Sequence, residues 1–288
     1  MKPAPFTYQC PNSIPETIKL LQQTENAKIL AGGQSLIPML NLRYAIPDCL
    51  IDVSRIPDLT QITVSEGHVT LGAMVRQAVA LADSRIAESL PCLTTALSHV
   101  GHLQTRSRGT VGGSLCHLDP AAELPLIALV YNARLVVEGP DGTRMIAAAD
   151  WAMGYMMPAL APDEILVSVQ FPRPHRAEGW GFSEFARRHG DFAIASAAVR
   201  LTVASGYIQK VIIGVGGLME VPSRLTQLEE SLIGLPADLD SDTFLTDTLA
   251  KCDVMEDAYY PAAFRRSVGA QLIKRALVSA FDRSESPA

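Results

Sequence analysis

No Cys-x-x-Cys occurs in this sequence. Its five cysteines, Cys10, Cys49, Cys92, Cys116 and Cys252, stand far apart, the nearest two 24 positions from each other. An iron–sulfur cluster or a structural zinc therefore finds no ligand set within the chain, and reduced thiols in a cytoplasmic protein are expected. No apolar run approaches the roughly 18 residues of a membrane span. The opening MKPAPFTYQCPNS is broken by prolines and lacks the apolar core of a signal peptide. Basic charge is also short: 24 Lys and Arg against 30 Asp and Glu leave a formal charge of −6 and a pI near 5.5. Nucleic acid is thereby excluded as a partner, since phosphate backbones call for clustered cations. Neither the dinucleotide fingerprint G-x-G-x-x-G nor the nucleophile elbow G-x-S-x-G is present. His99, His102 and His117 have no carboxylate pair to complete a metal site and read as structural or surface residues. Cys116 reads as small-residue packing.

What the chain does have is apolar material, 48% of residues against 19% charged, enough for packed cores in one large or two to three small domains. Ser13-Ile-Pro-Glu16 has the form of a capping box, and Ile14, Ile18 and Leu21 follow at helical spacing. A strand over 28–31, a helix over 36–43 capped by Ser35 and a strand over 48–53 complete a β–α–β unit. Residues 61–71 alternate about Ser65-Glu-Gly67, which predicts a hairpin, and helices are expected over 76–84 and 90–100. Gly139-Pro-Asp-Gly142 predicts a second hairpin joining 134–137 to 143–146, and 164–171 alternates again. Pro172-Arg-Pro174 marks a boundary. Beyond it, 194–203 and 208–215 predict a long antiparallel hairpin, and helices follow over 225–232, 242–252 and 262–281. Strands first and helices afterwards indicate an α+β domain.

Two stretches carry the chemistry. RGTVGGSLCHLDPAAELP, at 108–125, sets Gly112 and Gly113 between the hydroxyls of Thr110 and Ser114, with Asp119 and Glu123 close behind. AGGQS, at 31–35, repeats the double glycine beside Ser35. Glycine lets a backbone approach a bulky anion, and consecutive N–H groups in a turn form a nest for phosphate. Two such turns predict two loops on one diphosphate. Asp119-Pro120 reads either as a helix start with Asp119 as cap or as a separate turn before a helix beginning near Pro125. The carboxylates belong at the uncharged end of the ligand, away from the phosphates.

Together with LIDVSRIP at 50–57, DEILVSVQFP at 163–172 and FARRHGDFAIAS at 185–196, these stretches resemble the FAD-binding medium subunit of the molybdenum hydroxylases, the xanthine dehydrogenase and aerobic carbon monoxide dehydrogenase family. The resemblance implies an α+β fold: a two-part FAD-binding domain of the vanillyl-alcohol-oxidase type (1–57 and 58–175), then a C-terminal α+β domain (176–288) with an antiparallel sheet and helices. It implies FAD contacts from Ala31, Gly32, Gly33, Gln34, Ser35 and Leu36, and from Thr110, Gly112, Gly113 and Ser114. Asp119 and Glu123 would stand near the ribityl chain or ring, and Leu166 against the isoalloxazine. Many relatives carry Lys after the aromatic of the fifth stretch; this chain has Ala186, then Arg187 and Arg188, and Arg188 is counted among the contacts. The molybdenum-pterin cofactor and [2Fe–2S] clusters would lie on a large and a small partner subunit, in a dimer of heterotrimers that passes electrons to an external acceptor such as NAD. A free-standing FAD-dependent reductase or oxidase is the alternative, and a non-catalytic nucleotide-binding module a third.

Overall fold

The computed structural model describes residues 1–175, 177–237 and 241–285. Three strands open it, β1 (Thr7–Gln9), β2 (Ala27–Leu30) and β3 (Cys49–Asp52), paired in parallel in the order β1-β3-β2. Between them run α1 (Ile14–Gln23) and α2 (Leu36–Asn41). The Ser13 hydroxyl accepts the Glu16 N–H at 3.3 Å, and the Glu16 carboxylate reaches back to the Asn12 N–H at 2.9 Å. That cap fixes the turn which points Ile14, Ile18 and Leu21 at Ile51 and Val53. Parallel strands send their following loops to one end of the sheet, the usual place for a ligand crevice in an open α/β arrangement. The 31–35 loop leaves β2 there.

An antiparallel sheet of order β4-β5-β10-β6-β7 follows, from β4 (Ile62–Val64), β5 (His68–Gly72), β6 (Arg134–Gly139), β7 (Gly142–Ala147) and β10 (Ile165–Pro172), with β8 (Ala152–Gly154) and β9 (Met157–Pro158) forming a small separate hairpin. Both predicted hairpins are present in it. Six helices connect and cover it: α3 (Gln77–Ala82), α4 (Ser84–Ser89), α5 (Pro91–His99), α6 (Leu103–Arg108), α7 (Val111–His117) and α8 (Glu123–Val130). Every residue of α8 is buried, as expected of a helix apolar on all sides. One side of it meets α5, the other β12 (Ala195–Ala204) and β13 (Tyr207–Gly216).

Those two strands belong to a third, antiparallel sheet, β11-β12-β13-β14, with β11 (Glu178–Phe185) and β14 (Ser223–Arg224) at its edges. Ala197, Val199, Leu201, Val211, Ile213 and Val215 face α9 (Thr226–Leu232), α10 (Asp242–Ala250) and α11 (Ala262–Glu285), while Ala198 and Ile212 face α8. Alternation of period two thus gives one sheet two cores. Gly181 lets α11 press close, since a Cβ there would lie 2.0 Å from the Ala276 carbonyl oxygen. Among the described residues no helix is long and apolar enough to cross a membrane.

Candidate functional site

In the first glycine loop Gly33 has φ +73°, the left-handed conformation that a side chain disfavours. Ser35 flanks α2 but makes no side-chain cap, its backbone being already helical at φ −99°, ψ −47°. The expected cap is therefore absent, because capping needs an extended residue whose hydroxyl can turn back on the helix. Among the described residues no acceptor faces the backbone N–H groups of Gly32, Gly33, Gln34 or Ser35. Four adjacent bare donors are the property an anion requires.

The second glycine pair is not a turn. Thr110, extended at φ −121°, ψ 157°, caps α7, and its hydroxyl accepts the Gly113 N–H at 3.0 Å. The other N–H groups are also engaged: Val111 to the Val75 carbonyl, Gly112 to that of Ala73, Ser114 to that of Thr110. Gly112 is needed for packing, since a Cβ would lie 2.5 Å from the Ala73 Cβ. The nest expected here is filled by the protein itself, with Thr110 buried at 2% exposure and Ser114 half-buried beside it.

The two stretches do meet. A Cβ on Gly32 would lie 2.3 Å from the Arg108 carbonyl oxygen and 2.9 Å from the Gly109 Cα, and one on Gly113 would lie 3.5 Å from the Ala31 Cβ. Arg76, which the sequence reading passed over, locks the junction: its guanidinium donates to that same Arg108 carbonyl, and its backbone bridges to Thr110. At the neighbouring strand end the Tyr8 hydroxyl donates to Asp52 Oδ2 at 2.7 Å.

Asp119 forms the separate turn rather than the cap, its carboxylate accepting the Ala121 N–H at 2.8 Å, and α8 begins at Glu123. Glu123 is 7% exposed. Burial first, then the nearby charge of Glu184, push its carboxyl up to about 8. Burial likewise lowers His117, and raises the Cys116 thiol to about 12, too high for a nucleophile. Leu166 is 3% exposed in the core. Its neighbour Val167 accepts from the Ala73 N–H, and the Ala73 carbonyl accepts from Gly112, so the Leu166 strand is tied to the second stretch. Arg188 is exposed, on the loop after β11; Gly190 seats that loop, a Cβ there falling 2.7 Å from the Gly101 carbonyl oxygen and His102 Nδ1. Glu184 was also missed, its strand being disguised by Gly179 and Gly181.

A loop of bare donors at the carboxyl end of a small parallel sheet, backed by a hydroxyl-bearing helix and a buried acid, defines a chain built to hold an anionic cofactor. Residues 4–174 match the model of the FAD binding domain in molybdopterin dehydrogenase, and residues 180–280 that of the CO dehydrogenase flavoprotein C-terminal domain. The nicotine 6-hydroxylase medium subunit of Paenarthrobacter nicotinovorans is 37% identical over 99% of this chain and 100% of its own. The carbon monoxide dehydrogenase of Hydrogenophaga pseudoflava, solved without the Mo-pyranopterin moiety of its cofactor, superposes with a TM-score of 0.95 at 33% identity, covering 98% of this chain and 99% of that one. Quinoline 2-oxidoreductase of Pseudomonas putida 86 gives 0.92 at 32% identity, covering 99% and 100%. The chain belongs to the family of FAD-binding medium subunits of molybdenum hydroxylases, and is an oxidoreductase subunit.

Proposed function

We propose that this chain holds FAD at the junction of the two glycine stretches and relays electrons from [2Fe–2S] clusters on a small partner subunit to an external acceptor such as NAD. A large partner subunit carries the molybdenum-pterin cofactor, and two such heterotrimers pair. Residues 1–57 and 58–175 form the two parts of the flavin domain, and 176–288 the C-terminal domain. The N–H groups of Gly32, Gly33, Gln34 and Ser35 donate to the diphosphate, with Ala31 and Leu36 flanking them. Thr110 and Ser114 add hydroxyl donors, while Gly112 and Gly113 keep α7 close to the loop. Asp119 and Glu123 accept from hydroxyls of the sugar chain or from the ring, away from the phosphates. Leu166 walls the ring pocket, and Arg188 or Arg187 supplies the cation. Bound flavin supplies the exchange between single-electron and paired-electron transfer, a property of the cofactor that the protein positions and tunes.

The observation that carries this reading is the row of unengaged N–H groups set against Arg108 and Gly113. Co-expression with the neighbouring genes tests it. A yellow complex that co-purifies with an iron–sulfur chain and a molybdenum chain is expected, its flavin bleached when the clusters are reduced. A colourless chain overturns the site. A yellow chain without partners that oxidises or reduces a substrate alone favours the free-standing reductase or oxidase.

A further inference from the structure

The four bare N–H groups of the first glycine loop carry only partial charges. A doubly charged anion drawn partly out of water is held better by a full cation with donors of its own. The fold brings one to the loop. Arg76 follows β5 in an extended conformation, φ −68°, ψ 139°. Its backbone is clamped: the Gln77 N–H donates to the Gly109 carbonyl and the Val111 N–H to that of Val75, each at 3.0 Å. The side chain therefore starts from a fixed base. Its guanidinium donates through Nη1 to the Arg108 carbonyl, the same oxygen that a Cβ on Gly32 would meet at 2.3 Å. Cation and bare loop thus share one atom as neighbour.

Arg76 has capacity to spare. A guanidinium carries five N–H donors in a planar fork, and among the described residues the Arg108 carbonyl is the one acceptor it reaches. Asp52, the carboxylate whose charge acts on it, forms no ion pair with it. Asp52 Oδ2 accepts the Tyr8 hydroxyl at 2.7 Å and Oδ1 the Ser54 N–H at 2.8 Å. Arg76 is half-buried, and burial first, then the charge of Arg108, lowers its pKa from the ordinary arginine value, with Asp52 opposing. A half-buried cation beside a like charge, with donors unspent, is stabilised by an anion that takes them.

We propose that Arg76 is the charged ligand of the site, presenting its guanidinium fork to an anion of the diphosphate class that also accepts from the N–H groups of Gly32, Gly33, Gln34 and Ser35. Arginine suits the place better than lysine, because Nη1 can stay on the Arg108 carbonyl while the remaining donors meet phosphate oxygens. Tyr8 and Ser54 occupy Asp52 and keep it from competing for the fork. That the anion is the diphosphate of FAD rests on the function proposed above; the anion site itself does not.

The full-length chain, freed of any flavin, is titrated by calorimetry with ADP, which carries the diphosphate without the ring, at a series of salt concentrations. The wild type should bind it with an affinity that falls as salt rises. Arg76→Gln keeps a donor for the Arg108 carbonyl and removes the charge. ADP should then bind about tenfold to a hundredfold more weakly, the order of a hydrogen bond to a charged group, with a shallower salt dependence. A purely structural role would weaken binding and leave the salt dependence as it was. Arg76→Lys keeps the charge without the fork, and decides the matter if Arg76→Gln does not fold: ADP should bind several-fold more weakly while the salt dependence persists. No ADP binding by the wild type, unchanged affinity in either variant, or a loss in Arg76→Gln with unchanged salt dependence overturns the proposal. FAD retention is measured alongside. FAD held by the wild type and equally by Arg76→Gln leaves the flavin reading standing while this proposal fails. ADP binding that depends on Arg76 in a chain that retains no FAD does the reverse.

Discussion

At the scale of single residues, Glu123 ties the candidate site to the stability of the fold. Its carboxyl is held at about 8 in the folded chain against an ordinary 4.5, chiefly by burial. Between those values the folded chain binds more protons than the unfolded one. Stability from this group is therefore fully present below the ordinary value and falls as pH rises through the window, by up to about 1.4 kcal/mol per unit. Glu123→Gln should abolish that slope, as urea midpoints taken across the window will show. Glu164 acts in the opposite sense and in a different range: its hydrogen bond from Arg144 holds it below the usual carboxylate value, so its contribution is lost only as pH falls into acid. Gly33 is the other decisive residue. Valine there is forced to φ +73°, which costs about 1–2 kcal/mol, and its Cβ would press on Ile37 Cγ1 at 3.0 Å. Gly33→Val should lose flavin, read by absorbance after gel filtration, while the C-terminal domain keeps its fold; full flavin content would remove the loop from the site.

Among the elements, α7 sets the second stretch in place, and Thr110 sets α7. Thr110→Val deletes the acceptor of the Gly113 N–H and should cost about 1 kcal/mol, measured as a lowered unfolding midpoint together with weakened flavin retention. The helix was not legible from sequence because its first turn is Val-Gly-Gly, and glycine pairs read as turns. What reversed the reading was tertiary: Ala73 leaves room for Gly112 and nothing larger, and its carbonyl takes the N–H. Ser13 and Ser35 make the same point in opposite directions. Each precedes a helix, yet only Ser13 is extended and caps. Strands were readable where alternation spanned several residues, as in the hairpins about Gly67 and Gly142. β1 escaped notice because three exposed residues between prolines carry no period, and β11 because two of its inward positions are glycines admitting α11. Glycine loop, hydroxyls and acids of the site were visible as residue types. The Arg76 anchor and Glu184 were not, since long-range contacts alone give them meaning.

For the whole molecule, the question is what binds the flavin domain to the C-terminal one. Arg200 stands at that seam. It projects from β12 toward α8, pairs with Glu178, donates to the Val130 carbonyl at 3.3 Å and lies 4.5 Å over the Tyr131 ring. Arginine suits the position, its planar fork serving a carboxylate and a carbonyl while its face stacks on an aromatic ring. Both ends of the ion pair are buried, Arg200 at 8% and Glu178 at 9% exposure. The pair is therefore a weak source of net stability when intact and a large liability when halved. Arg200→Ala should cost roughly 3–5 kcal/mol by stranding the Glu178 charge. The loss falls at the junction of two cores that otherwise close separately, on opposite faces of one sheet. Urea unfolding followed by intrinsic fluorescence and by circular dichroism should then separate into two transitions where the wild type shows one. Arg200→Met with Glu178→Leu removes both charges and fills the space with apolar atoms, so it should restore most of the stability and the single transition. If the double variant is no better than Arg200→Ala, the seam depends on the guanidinium's hydrogen bond to α8 rather than on the balance of charge.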